Sequence, residues 1–236
     1  MKFFSQALVI KKLKRTIKQF GWIDSIFYVL NHLASIVKID LFFNKYYFAV
    51  QPLNADPTLP SEKGKRLRVE WLLPSSIKSN PCPRPYHVMQ DRYCQGSECL
   101  AIFKEDVFAG CLWYIKYHYK EDEVRCLYEL PEDIAVWDFD VYVDPKFRLS
   151  PVFLKLWDAA SAKLVNEGVR WSFSRISAFN AMSLSSHKRM GAKIVGWSVF
   201  VRMSSLQLTI SSLKPYFHLS FSDASYPIFK FDLPKV

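Results

Sequence analysis

A chain of 236 residues, half of them hydrophobic and 16% aromatic, has the material for one sizeable core and is not a disordered polymer. The formal charge of +10 is concentrated: residues 1–50 hold eight Lys/Arg against Asp24 and Asp40, so the rest is only mildly basic. That distribution excludes a protein-wide nucleic-acid surface. Five cysteines, odd in number and without a C-x-x-C pair, fit reduced thiols in a cytoplasmic compartment. His87, Cys94 and Cys99 follow no standard zinc spacing, and no metal is expected.

In chain order, Leu8, Val9, Leu13, Ile17 and Phe20 fall at helical spacing among Lys11, Lys12, Lys14, Arg15 and Lys18. Residues 5–20 therefore predict an amphipathic helix with a basic face. Two uses fit that face. It attaches to an anionic membrane surface on the inner side of a cell membrane, each basic residue adding about 1 kcal/mol. Or it docks on the chain's own domain, or on a sister subunit in a homodimer. A second apolar helix is expected over 23–37; Asn31, His32, Ser35, Lys38 and Asp40 interrupt it too often for a membrane span. No small-residue cleavage site follows, so a secretory leader is not expected.

Residues 42–53 read as extended, 54–65 as a linker, and 67–73 as a strand ended by Pro74. A short helix over 86–95 ends at Gly96. Two strand-like runs, 98–103 and 107–117, flank a hairpin-length Lys104-Glu105-Asp106, and 125–127 extends the same sheet. In 135–143, Trp137, Phe139, Val141 and Val143 alternate with Asp138, Asp140 and Tyr142, giving one apolar and one polar face.

Asp144-Pro145 ends that strand, and Ser150-Pro151 predicts a helix with Ser150 as N-cap. Phe153, Leu156, Trp157, Ala160 and Leu164 form its buried stripe, and Gly168 closes it. A strand over 171–178, a helix over 181–190 ended by Gly191, and a strand over 193–202 with Gly196 at a bulge follow. Residues 217–221 and 228–231 read as a final strand pair.

Two runs carry a resemblance. Val143-Asp144-Pro145-Lys146-Phe147-Arg148 is similar to the V-x-P-x-[YF]-R run that leaves the central strand of the GCN5-related N-acetyltransferase superfamily. Asn180, Ser183, His187, Gly191 and Ala192 resemble that superfamily's N-x-x-[AS]-x-x-x-Y-x-x-x-G-[FA] run, with every interval kept. The resemblance covers about residues 86–204. It implies an α+β fold: a mixed, mostly antiparallel central sheet flanked by helices, here with an N-terminal amphipathic helical extension. It divides the chain into a basic helical arm and linker (1–60), an acyltransferase-like domain (61–205) and a C-terminal extension (206–236).

The activity it implies is transfer of an acetyl or other acyl group from acetyl-CoA or a related thioester to a small-molecule amine or amino sugar. The donor then lies along Val141, Tyr142 and Val143, whose backbone polarises its carbonyl, and at Arg148, Leu149, Ser150 and Asn180. A helix start suits a pyrophosphate, and Arg148 adds a planar cation there. The superfamily keeps small residues in that loop. Here Leu149, Pro151 and Phe153 stand at those positions, and Pro151 has no N–H to give. His187 takes the place of the superfamily's tyrosine acid, and an imidazolium serves that role near neutral pH. It also reads as a partly exposed surface histidine. Asp138 and Asp140 share one strand face, where mutual repulsion would lift one pKa into the range of a base; a solvated or ion-paired face is the other reading. The sequence does not identify the acceptor, because acceptor sites on this fold sit on variable loops.

Overall fold

The computed structural model describes residues 22, 24–30, 41–131 and 133–234. The basic helix expected over 5–20 lies outside them; of the helix expected over 23–37, residues 24–30 are helical. The strands in chain order are β1 (Leu41–Pro52), β2 (Leu67–Leu72), β3 (Glu98–Lys104), β4 (Val107–Lys116), β5 (His118–Lys120), β6 (Leu127–Glu129) and β7 (Ala135–Val143). They continue with β8 (Trp171–Ser177), β9 (Lys193–Met203), β10 (Leu206–Ser211), β11 (Phe217–Ser220) and β12 (Ile228–Lys230). The helices are α1 (Tyr86–Cys94), α2 (Val152–Asn166) and α3 (Ala181–Arg189), with short 3-10 turns at Ser61–Gly64, Pro74–Ser79 and Pro145–Phe147. The fold is α+β, a mostly antiparallel sheet flanked by helices. No described helix is long and apolar enough to cross a membrane.

The described residues fall into two compact units: those up to Ala49 with Val124–Cys126 and Arg175–Phe229, and those of Val50–Glu123 with Leu127–Ser174 and from Lys230 onward. In the second unit the strand order is β8-β7-β4-β3-β2, every neighbour antiparallel except the parallel pair β7 and β8. Leu100, Ile102, Leu112, Trp113 and Trp137 fill its core and are fully buried. Tyr119 stacks on Phe139 at 4.2 Å and Tyr128 on Trp137 at 4.0 Å. Residues 125–127 do not extend the main sheet as expected. Leu127–Glu129 instead pairs with β5 in a small separate sheet, a three-residue contact too short to leave a periodic signal.

Helix α2 buries Val152, Leu156, Trp157, Ala160, Ser161 and Leu164, a 3.6-period stripe. Phe153, expected in that stripe, is only half-buried, and Val152 takes its place one position earlier. The helix starts at Val152 without a side-chain cap; Ser150 Oγ instead donates to Phe147 O at 2.6 Å. The expected Ser150 cap is thereby corrected, because that hydroxyl closes the preceding turn.

In the first unit the order is β11-β10-β9-β1, with β9/β10 and β10/β11 antiparallel. Residues 217–221 and 228–231 therefore do not pair with each other: β11 pairs with β10, and β12 belongs to the small sheet. Gly196 marks a close approach. A Cβ there would stand 2.8 Å from Leu213 Cγ.

The element that shapes the second unit is a bulge in β7. Cys111 pairs with Tyr142 and Trp113 with Phe139, so Asp140 and Val141 together oppose Leu112. Asp140 takes φ +51° to make that step. Opposite it, Gly110 leaves room for the displaced backbone, since a Cβ there would lie 2.4 Å from the Tyr142 carbonyl oxygen. Gly110→Ala is expected to cost about 2–3 kcal/mol, because backbone rather than a flexible side chain must yield. Urea unfolding checks this; an unchanged midpoint would mean the two strands separate freely at that point.

Candidate active site

Strand β7 pairs with β8 at Ala135↔Trp171, Val136↔Ser172, Trp137↔Phe173 and Asp138↔Ser174, and there the pairing stops. Beyond the bulge, Tyr142 and Val143 remain paired to β4, while Val141–Val143 are half-buried. The chain then turns through Asp144, whose Oδ1 accepts from Lys146 N at 2.9 Å, and through the 3-10 turn Pro145–Phe147. Arg148 and Leu149 follow, both exposed, Leu149 completely so. Arg148 Nε reaches Val143 O only at 3.5 Å, so the guanidinium is left to solvent. The structure thus brings Val141, Tyr142, Val143, Arg148, Leu149 and Ser150 onto one continuous strand-and-loop at the head of α2.

The two carboxylates expected on one polar face are not alike. Asp138 is 2% exposed, with Oδ2 accepting from Ser172 Oγ at 2.7 Å. Burial pushes its pKa up to about 7, against the opposing hydrogen bonds of Ser172 and Ser174. Asp140, turned by the bulge, accepts from Arg84 Nε at 2.6 Å and from a second Arg84 nitrogen, and from Arg92 Nη1 at 2.6 Å. Burial works to raise its pKa, but the two guanidiniums outweigh that and hold it below the usual carboxylate range. The expectation of two carboxylates raising one another is therefore corrected: burial lifts Asp138, and ion pairs lower Asp140. The simple two-residue alternation fails because Ala135–Asp138 is covered on both faces and the bulge shifts the phase after Phe139.

Arg92 is the residue the sequence reading missed. Only 3% exposed, it donates from Nε (2.9 Å) and Nη2 (2.6 Å) to Asp122 Oδ2 as well as to Asp140. Its guanidinium lies 5.3 Å from the Trp113 ring centroid and 5.1 Å from that of Phe139. Burial alone would depress its pKa; Asp122 and Asp140 reverse that and raise it. In the sequence Arg92 is one more charged residue on a short helix with a weak apolar stripe, and nothing local announces that it is enclosed.

Three thiols sit in the same unit: Cys82, Cys99 and Cys111 are all buried, and the Cys82 and Cys99 Sγ atoms are 3.5 Å apart. Hydrogen bonds from Cys111 and Cys99 draw the Cys82 thiol down, while burial pushes Cys99 up. Enclosed in this way, none of the three is presented to a substrate as a nucleophile. Among the described residues no group of three His, Cys, Asp or Glu is arranged to hold a metal ion.

His187 and Asn180 belong to the other unit. Asn180 caps α3, its Oδ1 accepting from Ser183 N at 3.1 Å. His187 is 3% exposed, and burial depresses its pKa to about 4. Both readings of this residue change: it is not a surface histidine, and at pH 7 it is neutral, not the imidazolium acid expected. Missed in this unit is a part-buried cluster in which Asp24 accepts from Lys45 Nζ at 2.5 Å and from Tyr47 OH at 2.8 Å. Arg175, on β8, stacks over Tyr46 at 4.3 Å.

No protein-family model matches the chain, and no curated protein matches it in sequence. Among solved structures it is similar to a functionally unknown conserved protein from Staphylococcus epidermidis, with 10% identity, TM-score 0.48, 72% of this chain and 65% of that one covered. It is also similar to a tandem GNAT protein from the clavulanic acid biosynthesis pathway (10% identity, TM-score 0.48, 72% and 56% covered). A third is an aminoglycoside acetyltransferase from an uncultured soil metagenomic sample, in complex with sisomicin (13% identity, TM-score 0.39, 53% and 87% covered). This chain spans 65% and 56% of the lengths of the first two. None of the three carries an activity over to it.

Proposed function

We propose that the chain is an acyltransferase of the GCN5-related type. It moves an acetyl or other acyl group from a CoA-type thioester to the nitrogen of a small amine or amino sugar. The observation supporting this is the bulged β7. After Asp138 it parts from β8, it steps sideways at Asp140, and it offers the backbone of Val141–Val143 on the side away from β4. Backbone N–H groups fixed in a sheet polarise a thioester carbonyl without reorganising during the reaction. The acceptor nitrogen attacks the carbonyl carbon, the C–S bond breaks, and the thiolate leaves and is protonated by water. The acceptor's proton goes to solvent, since Asp140 is tied to Arg84 and Arg92 and Asp138 is closed within the sheet.

The test is thiol release from acetyl-CoA in the presence of a panel of amines and aminoglycosides. Turnover is expected to rise with pH through the pKa of each acceptor amine, not through a protein group near 7. A rate that rises through about pH 7 for every acceptor, and vanishes in Asp138→Asn, would transfer the base to Asp138.

A second reading, a non-catalytic module of the same fold, is favoured by the bulky Leu149, Pro151 and Phe153 in the loop and by the neutral, enclosed His187. Donor binding with no acceptor-dependent thiol release would select it.

A further inference from the structure

Positive charge that the Arg148–Phe153 loop does not offer through small, close backbone is gathered beside it. A cleft of about 350 Å³, a size typical of small-ligand sites, opens next to Ser150 and Pro151 at the head of α2. Lys63, Lys65, Arg66 and Lys104 line it, and Glu62 is the one acidic residue on its wall. Glu62 is taken up by Lys65 at 2.5 Å, and Arg66 pairs at 3.3 Å with Glu105. Lys63 and Lys104 have no carboxylate partner among the described residues; Lys104 Nζ lies 5.7 Å from the ring centroid of Phe147, the residue before Arg148.

The position of these cations is built rather than incidental. Asp158 of α2 accepts from the backbone N–H groups of Thr58 (2.8 Å) and Leu59 (2.9 Å), tying the chain ahead of the Ser61–Gly64 turn to the helix. Leu59 and Gly64 are buried, and a Cβ at Gly64 would already lie within 3.4 Å of the Lys155 side chain. The turn that carries Lys63 is thus seated against α2, and β3 ends in Lys104 on the same cleft. Like charges converging in a concave site repel one another until an anion enters, and a helix start alongside favours the same sign of ligand.

We propose that this cleft binds the phosphate groups of a nucleotide-bearing acyl donor. Side-chain ammonium groups from the 61–66 segment and β3 do here what glycine backbone does in loops that lack such residues. The nature of the donor rests on the acyltransferase reading above; the affinity of the cleft for phosphate does not. Calorimetric titration of the full chain with adenosine 3′,5′-bisphosphate, with inorganic pyrophosphate and, separately, with acetyl-CoA tests it, using wild type and Lys63→Ala/Lys104→Ala. At least one phosphate probe is expected to bind wild type and to bind the double variant ten-fold or more weakly, the loss shrinking as salt is raised. Pyrophosphate alone would place the bridging phosphates in the cleft, and the bisphosphate alone the nucleotide end. If neither probe binds, or wild type and the double variant bind equally, the cleft proposal is overturned even where acetyl-CoA binds. If the phosphate probes bind in a Lys63- and Lys104-dependent way while no acyl thioester does, the cleft stands and the acyltransferase reading falls. Wild type and the double variant are expected to unfold at the same urea midpoint, since neither lysine forms an ion pair among the described residues.

Discussion

Replacing Arg92 by alanine is expected to destabilise the protein by about 3–5 kcal/mol, the range for removing one partner of a buried ion pair. Three donor groups disappear at once: those to Asp122 at 2.9 and 2.6 Å and that to Asp140 at 2.6 Å. Asp140 keeps Arg84 but loses the enclosed partner, and the faces of Trp113 and Phe139 lose the cation above them. Because Asp140 sits at the bulge, the loss falls on the strand segment proposed to carry the donor. Arg92→Met, which keeps volume without charge, separates packing from electrostatics. Arg92→Met/Asp140→Asn is expected to recover part of the stability that Arg92→Met loses, since it relieves the stranded carboxylate. Urea unfolding of the three variants checks this; an Arg92→Ala loss under 1 kcal/mol would mean the network is solvated in solution.

The second large effect is pH-dependent and centres on Asp138. Its folded pKa of about 7 exceeds the ordinary 3.8, so its contribution to stability is fully present below the ordinary value and is lost as pH rises through 7. A rise from 3.8 to about 7 corresponds to roughly 4 kcal/mol. His187 works in the opposite direction. Its folded pKa of about 4 lies below 6.5, so stability is lost as pH falls from 6.5 towards 4, by roughly 3 kcal/mol. Between pH 4 and 6.5 the two slopes largely cancel. Asp138→Asn is expected to remove one of them, so that stability climbs with pH across that window and exceeds wild type at pH 8. Denaturant titrations at pH 5 and pH 8 measure this. The same slope in wild type and Asp138→Asn would show that the carboxyl is hydrated in the folded protein.

Where sequence reading succeeded and failed follows from what each element needs. The extent of β7 as a strand, the 3.6-period stripe of α2 and the closing residues Gly168 and Gly191, both at positive φ, rest on local patterns and are read directly. The bulge is not local. It exists because Gly110, thirty positions earlier, admits the Tyr142 carbonyl, and no pattern within β7 marks Asp140 as the residue at positive φ. Once the bulge is missed, the phase of the strand is wrong, and Asp138 and Asp140 are placed together on a wet face. The Arg84–Asp140–Arg92–Asp122 network joins residues from four segments, which charge counting along the chain does not reveal. His187 sits at a motif interval that was legible, while its burial depends on tertiary packing. The 3-10 turn carrying Lys63 lay in a stretch read as a linker, so the basic cleft beside α2 had no sequence signal beyond four scattered cations.

Binding of an acyl thioester is the property on which the proposed function stands. Isothermal titration of the full chain with acetyl-CoA, followed by acyl-CoA donors of increasing chain length, measures it directly. Saturable one-to-one binding of at least one donor is expected, weakened by Arg148→Ala. Absence of heat and of displacement for every thioester tested, with the chain folded by circular dichroism, would contradict it.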